Sequence, residues 1–492
     1  MARRFAFTIG RNEVDFMYQA VIIAGAALLT IVALLALKNK KDEKFALFLK
    51  ILTVFYCAVG FFRYMLSDSF MWVINDGVYG GVRYIKTDYL STILRWGYYL
   101  NYAILPMAVF FGNRVFKNTA LYFCLPFTLL SVAFFNVYMG YFLDPAGAGF
   151  HFAAWFRYLY FIVELVLACS LPLLLCIRTR HRFNFRDKTE IRNYLICLPL
   201  FIVNSMPGYV PQSVIGYTFI NASALSPFNI AWIASIALEI FVIYRVFRFK
   251  DYQTRRAVCQ YLTICLFFHY NSLFLMGFTI NRLPIQLCNL GAYFCIIAVT
   301  FRMRKFFDFI FLANIVGGCI AVFSPDLVTG AFGFWTMHYM YEHSLVIIVP
   351  AVCMALRLFP RVKADALLHL LVGFACYFMF CVVSGTILNG YSDITGTTVN
   401  FFYIFDLKKA FGYFPFLTFT GKYRVAFGRF ELYPVLHIII FCGYYGICTL
   451  FYFITQKIYA AADDHRVLRA SFIDLYEKRT GKKCNLPLEY KD

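Results

Sequence analysis

Charged residues are scarce in this sequence of 492 residues, in which Asp, Glu, Lys and Arg together make up only 15%. A soluble globular domain carries about 25% charged residues and is about half apolar. Here 61% of the residues are hydrophobic and 20% are aromatic. This composition excludes an ordinary soluble domain and predicts an integral membrane protein.

The sequence also lacks any CxxC pair and any cysteine spacing typical of zinc sites, although it contains 16 cysteines. Most of them stand singly within apolar segments, as do Cys57, Cys124, Cys169, Cys319, Cys353, Cys376 and Cys381. Isolated cysteines in such segments are usually small apolar packing residues. We therefore expect neither a disulfide framework nor a resident metal or other cofactor.

Apolar runs of about 20 residues, enough to cross about 30 Å of hydrocarbon, recur about 13 times. They lie near 16–37, 45–66, 91–112, 119–140, 152–176, 191–212, 227–247, 256–277, 283–301, 306–323, 335–357, 365–386 and 433–456. The sequence therefore predicts an all-α polytopic membrane protein with about 13 transmembrane helices.

Lys and Arg are absent from the three loops 141–151, 213–225 and 324–334, whereas the loops that alternate with these are basic. The positive-inside rule places the basic loops in the cytoplasm, the N-terminus outside and the C-terminus in the cytosol. We expect a multi-pass protein of the plasma membrane. The net charge of +20 then reflects topology, and no nucleic-acid partner is expected.

An internal duplication is indicated by two short basic turns that precede apolar runs, Arg114–Lys117 and Arg302–Lys305, at an offset of 302 − 114 = 188 positions. We expect one leading helix followed by two six-helix repeats of the same orientation. The expected domains are the leading span 1–44, a degenerate repeat 45–250, a second repeat 251–456 and a cytosolic tail 457–492. Within the tail, a short helix is predicted from Asp463 to Lys478.

Three reactive side chains enter the predicted membrane from the outer side. At 1.5 Å per residue, Cys288 lies about 7 Å below the outer boundary and His343 about 12 Å below it. His437 lies a few residues into the last span. Ionisable groups inside a membrane are costly and usually functional. A Cys–His–His metal site at these three residues is an alternative, although no spacing here is diagnostic of one.

The second half of the chain, roughly 256–456, resembles the YwaF-type family of bacterial membrane proteins. The resemblance rests on Leu283-Pro-Ile-Gln-Leu-Cys288, on Glu342-His343-Ser-Leu, and on the segment that begins Gly396-Thr-Thr-Val-Asn400. That family is similar to animal multi-span acyltransferases that act on ether phospholipids through a Cys and a His. The resemblance implies that Cys288 is a nucleophile and His343 its partner.

Acyl transfer from a lipid ester would also need supporting groups. The amides of Gln286, Asn289, Asn389 and Asn400 are candidate oxyanion donors, while Glu342 or a nearby amide is expected to fix the tautomer of His343. His437 completes the set. The expected partners are phospholipids and lysophospholipids, and protein partners are unknown. The long outer loop 387–432 is expected to fold over the site.

Two further functions remain open from the sequence. Tandem repeats of one orientation also suit a transporter or flippase for lipids or small solutes. A non-catalytic membrane scaffold is the other alternative.

Overall fold

The structure is a computed structural model, and it describes most of the chain. The described residues are 24–31, 33–34, 43–65, 89–133, 152–215, 220–271, 280, 283–325, 330–396, 398–405, 415–427 and 430–481. Most of the predicted leading span and the end of the predicted tail lie outside these residues.

Helices dominate the described residues, and each lies on one of the apolar segments predicted above or beside one. In chain order they are α1 Glu43–Met65, α2 Tyr89–Phe111, α3 Arg114–Thr119, π1 Ala120–Cys124, α4 Leu125–Ala133, α5 Ala154–Thr179, α6 Lys188–Ser205, α7 Tyr209–Ile215, α8 Pro227–Phe247, α9 Tyr252–Asn271, α10 Leu287–Phe301, α11 Arg304–Phe309, π2 Ile310–Asn314, α12 Ile315–Phe323, α13 Phe334–Ala355, α14 Asp365–Gly390, α15 Ser392–Thr395 and α16 Pro434–Thr480.

Short elements fill the predicted outer loop between α15 and α16. Two 3-10 helices, Phe401–Tyr403 and Pro415–Lys422, precede a pair of antiparallel strands, β1 Val425–Phe427 and β2 Phe430–Leu432. In the described residues, this two-stranded sheet is the only β structure.

Six of the described helices are long and apolar enough to cross a membrane. They are Glu43–Phe62, Leu159–Thr179, Pro227–Phe247, Arg304–Phe323, Asp365–Gly390 and Pro434–Asp463. Large apolar side chains project from them, as on α8, where Leu238 is 61% exposed and Phe241 is 58% exposed. Such faces are stable against lipid tails and unstable against water. The described residues thus support a helical membrane protein and contain six helices of spanning length.

The predicted tail helix exists, but it is not a separate short element. Helix α16 runs without interruption from Pro434 to Thr480 and ends at Gly481, which adopts the left-handed conformation (φ 65°). Between Lys457 and Gly481 the sequence contains neither Gly nor Pro, so nothing stops the transmembrane helix from continuing.

The chain forms two compact units that are interleaved in sequence. Unit 1 contains Met1–Ile233, Arg256–Arg282 and Val322–Leu345. Unit 2 contains Ala234–Arg255, Leu283–Ala321 and Val346–Asp492. Each unit is described by itself below.

The same local helix pattern occurs twice in the chain. A six-residue α-helix, a five-residue π-helix and a nine-residue α-helix follow one another in α3–π1–α4 and again in α11–π2–α12. The offset is 304 − 114 = 190 positions, so the structure pairs Arg114 with Arg304. The two basic turns compared in the sequence, Arg114–Lys117 and Arg302–Lys305, are 188 positions apart, so the two helix patterns start two positions further apart than these turns do.

A polar cluster in unit 1 anchors the first of these patterns. Arg114 at the start of α3 forms an ion pair with Glu190 in the first turn of α6, at 2.8 Å. Four residues after Arg114, the buried Asn118 donates to Glu190 and accepts from Nε2 of His181. The cluster therefore ties the start of α3 to the start of α6.

A matching cluster in unit 2 anchors the second pattern. Arg304 at the start of α11 pairs with Asp365 in the first turn of α14, at 2.9 Å. Four residues after Arg304, the buried Asp308 contacts Nδ1 of His369 at 2.9 Å. In both patterns the first residue is an Arg that pairs with a carboxylate in the first turn of a later helix.

The Glu190 cluster makes stability depend on pH. Burial raises the pKa of the Glu190 carboxyl, but hydrogen bonds from Arg114 and Asn118 outweigh it and bring the pKa below its ordinary value of 4.5. The stabilisation is therefore present at neutral pH and is lost as pH falls through the folded pKa. We expect Glu190→Gln to lower the free energy of unfolding by about 1 kcal/mol at pH 7, a small value because Arg114 is largely exposed.

Thermal unfolding in detergent at a series of pH values measures this effect. The difference between the parent protein and Glu190→Gln should be largest near pH 7 and should vanish at acidic pH. A difference that persisted unchanged below the folded pKa would contradict the assignment.

Candidate functional site

Cys288 occupies the first turn of α10 in unit 2, where Gln286 is the N-cap residue and Leu287 the first helical residue. The first backbone N–H groups of a helix have no acceptor within the helix, and the helix dipole places positive charge at this end. Both effects stabilise negative charge on a sulfur at this position. Cys288 is half-buried, whereas Cys295, two turns further along α10, is fully buried.

The hydroxyl of Tyr444 and the sulfur of Cys288 both lie close to Gly317 on α12. A methyl group built on Gly317 would lie 2.9 Å from the Tyr444 oxygen and 3.7 Å from the Cys288 sulfur. Because Gly317 has no side chain, no side chain of this residue stands between the Tyr444 hydroxyl and the Cys288 thiol. The Cys288 thiol and the Tyr444 hydroxyl therefore both lie beside Gly317 inside unit 2. We call this place the gap, although a methyl group would not fit in it unless one of its neighbours shifted.

The π2 helix holds Tyr444 in place. Tyr444 donates its hydroxyl hydrogen to the carbonyl of Ala313, at 2.7 Å. A π-helix disturbs the regular i to i+4 bonding of an α-helix, and such turns occur often at functional sites. Here the Ala313 carbonyl of π2 accepts from a side chain on α16.

The last residue of π2 positions the start of α10. The buried Asn314 donates its amide to the carbonyl of Leu287, the residue before Cys288, at 3.4 Å. Gly291 allows this approach, because a methyl group built there would lie 1.7 Å from the Asn314 amide nitrogen. The other amide atom of Asn314, Oδ1, is buried without a hydrogen-bond partner among the described residues.

Residues 399–402 of the predicted outer loop contact two side-chain amides of unit 2. Gln286 accepts a hydrogen bond from the Phe402 backbone N–H at 3.0 Å and donates one to the Asn400 carbonyl at 3.2 Å. Asn389 binds both the N–H and the carbonyl of Val399, at 2.7 and 3.1 Å. Residues 406–414 of the predicted lid lie outside the described residues. The segment 399–405, which we call the cover segment, is thus held by two side-chain amides.

Phe402 is the central residue of the cover segment. Its ring packs against Tyr444 and Tyr377, with centroid distances of 5.2 and 5.6 Å. Its backbone has φ 52°, in the left-handed region that a residue with a Cβ rarely adopts. Strain of this kind persists only where the surroundings impose it, and it is common at ligand clamps. Phe402 is therefore held next to the Tyr444 side of the gap.

Two further predicted residues of unit 2, His437 and Asn400, contact the cover segment. His437 contacts the Ile404 carbonyl through Nε2, at 3.1 Å, so that nitrogen carries the hydrogen. Asn400 accepts from the Phe405 backbone N–H through its side chain, at 2.9 Å. Asn289 is half-buried on α10. Gln286, Asn389, Asn400 and His437 thus all organise the cover segment.

His343 lies in unit 1, on α13, and a backbone carbonyl fixes its tautomer. Nδ1 of His343 lies 2.7 Å from the carbonyl oxygen of Tyr339, which can only accept, so Nδ1 carries the hydrogen. Nε2 then carries the lone pair that a general base requires. The Tyr339 ring packs on the imidazole with centroids 4.1 Å apart. The expectation that Glu342 or an amide fixes this tautomer was therefore wrong, because the preceding turn of the helix supplies the acceptor.

Glu342 instead contacts a second histidine of unit 1. Its Oε2 lies 3.4 Å from Nε2 of His338, one turn earlier on α13, and both side chains are buried. Its Oε1 has no hydrogen-bond partner within the described residues. Gly208 packs directly on this turn, since a methyl group built there would lie 2.9 Å from the His338 backbone nitrogen. The start of α13 is thus closely packed.

The structure groups the predicted site residues by unit. Gln286, Cys288, Asn289, Asn389, Asn400 and His437 lie in unit 2, whereas Glu342 and His343 lie in unit 1. Across the described ranges, no three His, Cys, Asp or Glu side chains are grouped as metal ligands. The alternative of a Cys–His–His metal site gains no support from this arrangement.

Three residues at the gap were missed by the sequence analysis, namely Gly317, Phe402 and Tyr444. One signal was available for Tyr444, because a Tyr hydroxyl within a predicted span needs a polar partner there. In Gly443-Tyr-Tyr-Gly446, however, nothing distinguishes Tyr444 from Tyr445. Gly317 and Phe402 carry no chemical signal in the sequence.

Comparison with known proteins gives one match. No curated protein and no solved structure matches the chain. The YwaF-type assignment is not confirmed. A model of the TMEM164 family matches residues 219–449, a range that contains Cys288, His343 and Tyr444, so this part of the chain is similar to that family of transmembrane proteins.

Proposed function

We propose that this protein is a membrane transacylase, which moves an acyl chain from a phospholipid to a lysophospholipid through a thioester on Cys288. The observation that carries the proposal is the position of Cys288 at the N-terminus of α10, facing a gap that it shares with the Tyr444 hydroxyl. Acyl transfer requires a nucleophile, a base and hydrogen-bond donors for the oxyanion, and Cys288 supplies the nucleophile in this proposal.

The reaction begins when a base removes the thiol hydrogen of Cys288. His343 is the proposed base, because the Tyr339 carbonyl leaves its lone pair on Nε2. The sulfur then attacks the ester carbonyl carbon, a C–S bond forms, and the C–O bond to the glycerol backbone breaks. The lysophospholipid oxygen takes the proton from His343 as it leaves. Attack by the hydroxyl of a second lysophospholipid on the thioester reverses these steps and completes the transfer.

The cover segment supports transfer over hydrolysis. Phe402 and its aromatic neighbours form an apolar cover beside the gap, and a site that excludes water protects a thioester from hydrolysis. The hydrogen bonds of Gln286 and Asn389 keep this cover in place. Their role in the proposal is to orient the cover segment.

The proposed topology is a leading span and two six-span repeats of one orientation, about 13 spans in all, in the plasma membrane. The N-terminus is outside and the C-terminus is cytosolic. The recurrence of α3–π1–α4 as α11–π2–α12 supports the repeat, as do their matched ion pairs. Only the second half carries Cys288, and we propose that the first half has a structural role. The resemblance to YwaF-type proteins and to Cys/His acyltransferases forms part of this proposal.

Trapping the acyl-enzyme tests the function. Purified protein is given a phospholipid with a radiolabelled acyl chain together with an unlabelled lysophospholipid, and the label on protein and on product is followed. We expect an adduct that hydroxylamine releases, and labelled product that accumulates with time. Cys288→Ala should abolish both.

Cys442→Ala is the matched control, because Cys442 is an exposed cysteine on α16 and its loss should leave adduct and product unchanged. Full acyl exchange by Cys288→Ala would refute the mechanism. Movement of lipid between leaflets without any adduct would favour the transporter alternative.

A further inference from the structure

We propose that the Tyr444 hydroxyl is the side-chain donor that stabilises the oxyanion formed when Cys288 attacks an ester. This inference rests on the proposed function and adds a catalytic residue to it. It assigns a chemical role to the gap between α10, α12 and α16.

Position is the first argument. The Tyr444 hydroxyl and the Cys288 sulfur both lie beside Gly317, at 2.9 and 3.7 Å from the position that a methyl group on Gly317 would take. An ester carbon within bonding reach of the sulfur places its carbonyl oxygen about one bond length further on. The sulfur and the Tyr444 oxygen are no further apart than these two distances added together, so a carbonyl oxygen on the attacked carbon can come within hydrogen-bond reach of the hydroxyl.

The resting hydrogen bond of Tyr444 is the second argument. Its hydrogen points to the Ala313 carbonyl of π2 at 2.7 Å. The hydroxyl is thus satisfied inside the membrane without substrate, and rotation about one C–O bond redirects its hydrogen to the gap. No backbone movement is needed for this exchange of acceptors.

Rigidity is the third argument. The Tyr444 ring lies between Phe374 and Phe402, with centroid distances of 5.0 and 5.2 Å. Packing on two sides fixes the ring, so the hydroxyl oxygen stays at one place. Donors that need no rearrangement are the ones that contribute most to stabilising a developing charge.

Two of the predicted amide donors are already engaged, which is the fourth argument. Gln286 and Asn389 each donate to a backbone carbonyl of the cover segment. The first-turn N–H groups of α10 supply donors from the backbone. Tyr444 adds the side-chain donor.

The step balances as follows. When the sulfur of Cys288 bonds to the ester carbon, the electron pair of the C=O double bond moves to oxygen. Tyr444 donates a hydrogen bond to this oxyanion and keeps its proton. As the C=O bond reforms, the ester C–O bond breaks, and the lysophospholipid oxygen takes the proton that left the sulfur. Tyr444 returns to Ala313 unchanged.

Two single substitutions on one helix test the inference. Tyr444→Phe removes the hydroxyl and keeps the ring, and loss of one oxyanion donor typically slows the reaction about 10²–10³-fold. Tyr445→Phe is the matched control, because Tyr445 donates to the Leu367 carbonyl at 3.3 Å, outside the gap. The readout is the rate of thioester formation on Cys288 at saturating labelled phospholipid, with KM measured in parallel.

Alkylation of Cys288 by iodoacetamide separates a chemical role from a structural one. Alkylation displaces iodide and forms no oxyanion, so Tyr444→Phe should alkylate at the parental rate. Gly317→Ala gives a second route, since its methyl group would lie 2.9 Å from the Tyr444 oxygen and would force the hydroxyl to shift. We expect it to slow acylation as well.

The rates of acylation and alkylation together decide whether Tyr444 acts as the oxyanion donor. Slow acylation with parental alkylation in Tyr444→Phe supports the inference. Parental acylation in Tyr444→Phe overturns it and leaves the transacylase intact, and an equal loss of acylation and alkylation overturns it in favour of a packing role. If the parent protein forms no thioester, the proposed function fails and the inference fails with it.

Discussion

Replacing His343 with glutamine is expected to slow acylation of Cys288 by about 10²–10⁴-fold, the usual contribution of a positioned general base. Glutamine keeps a donor that can reach the Tyr339 carbonyl, as Nδ1 of His343 does now at 2.7 Å. It provides no basic nitrogen in place of Nε2. Single-turnover formation of the hydroxylamine-sensitive adduct measures the change.

The matched control is His437→Gln, which keeps an N–H donor for the Ile404 carbonyl. Because His437 organises the cover segment rather than the proposed chemistry, its replacement should change the acylation rate less than about tenfold. Equal losses in the two variants would contradict the assignment of His343 as the base.

Replacing Gly208 with alanine is expected to lower the free energy of unfolding by about 1–3 kcal/mol, the usual range for overpacking. The added methyl group would meet backbone atoms of α13, namely the His338 nitrogen at 2.9 Å and the Phe334 carbonyl oxygen at 3.1 Å. Backbone atoms within a helix cannot rotate away, so one of the two segments must shift. Thermal unfolding in detergent measures the loss.

Gly446→Ala is the control for this change. Gly446 lies within α16, and a methyl group built on it meets nothing within 4 Å. Alanine favours the helix by up to about 1 kcal/mol over glycine, so this variant should be as stable as the parent or more stable. A Gly208→Ala protein with parental stability would contradict this prediction, because it would show that the first turns of α13 can shift at no cost.

The helices were largely predictable because apolar runs between charged loops leave few alternatives inside a membrane. The run predicted at 227–247 is the helix Pro227–Phe247, and the run at 152–176 is the helix Ala154–Thr179. The π-helices were not predictable, since they arise from packing between helices. The length of α16 was visible in the sequence, as the absence of a stop signal after Lys457.

Only those residues of the candidate site could be predicted whose side chains are unusual inside a membrane. Cys288 and His343 are recognisable as reactive groups within apolar segments. The contacts of Gln286 and Asn389 were not foreseeable, because their partners are backbone groups of a loop whose path depends on the folded bundle. Tyr444 and Tyr445 lie on different faces of α16. Which of them contacts Ala313 is decided by how α16 packs, and the sequence does not show this.

The π2 helix limits how this part of the chain can change during evolution. Each residue advances a helix by about 100°. Loss of one residue from Ile310–Asn314 would therefore rotate all of α12 by about 100° relative to its neighbours. Gly317 would then no longer face Cys288 and Tyr444. A substitution within the same turn leaves that direction unchanged. Natural variation is thus expected to alter the side chains of this segment while preserving its number of residues.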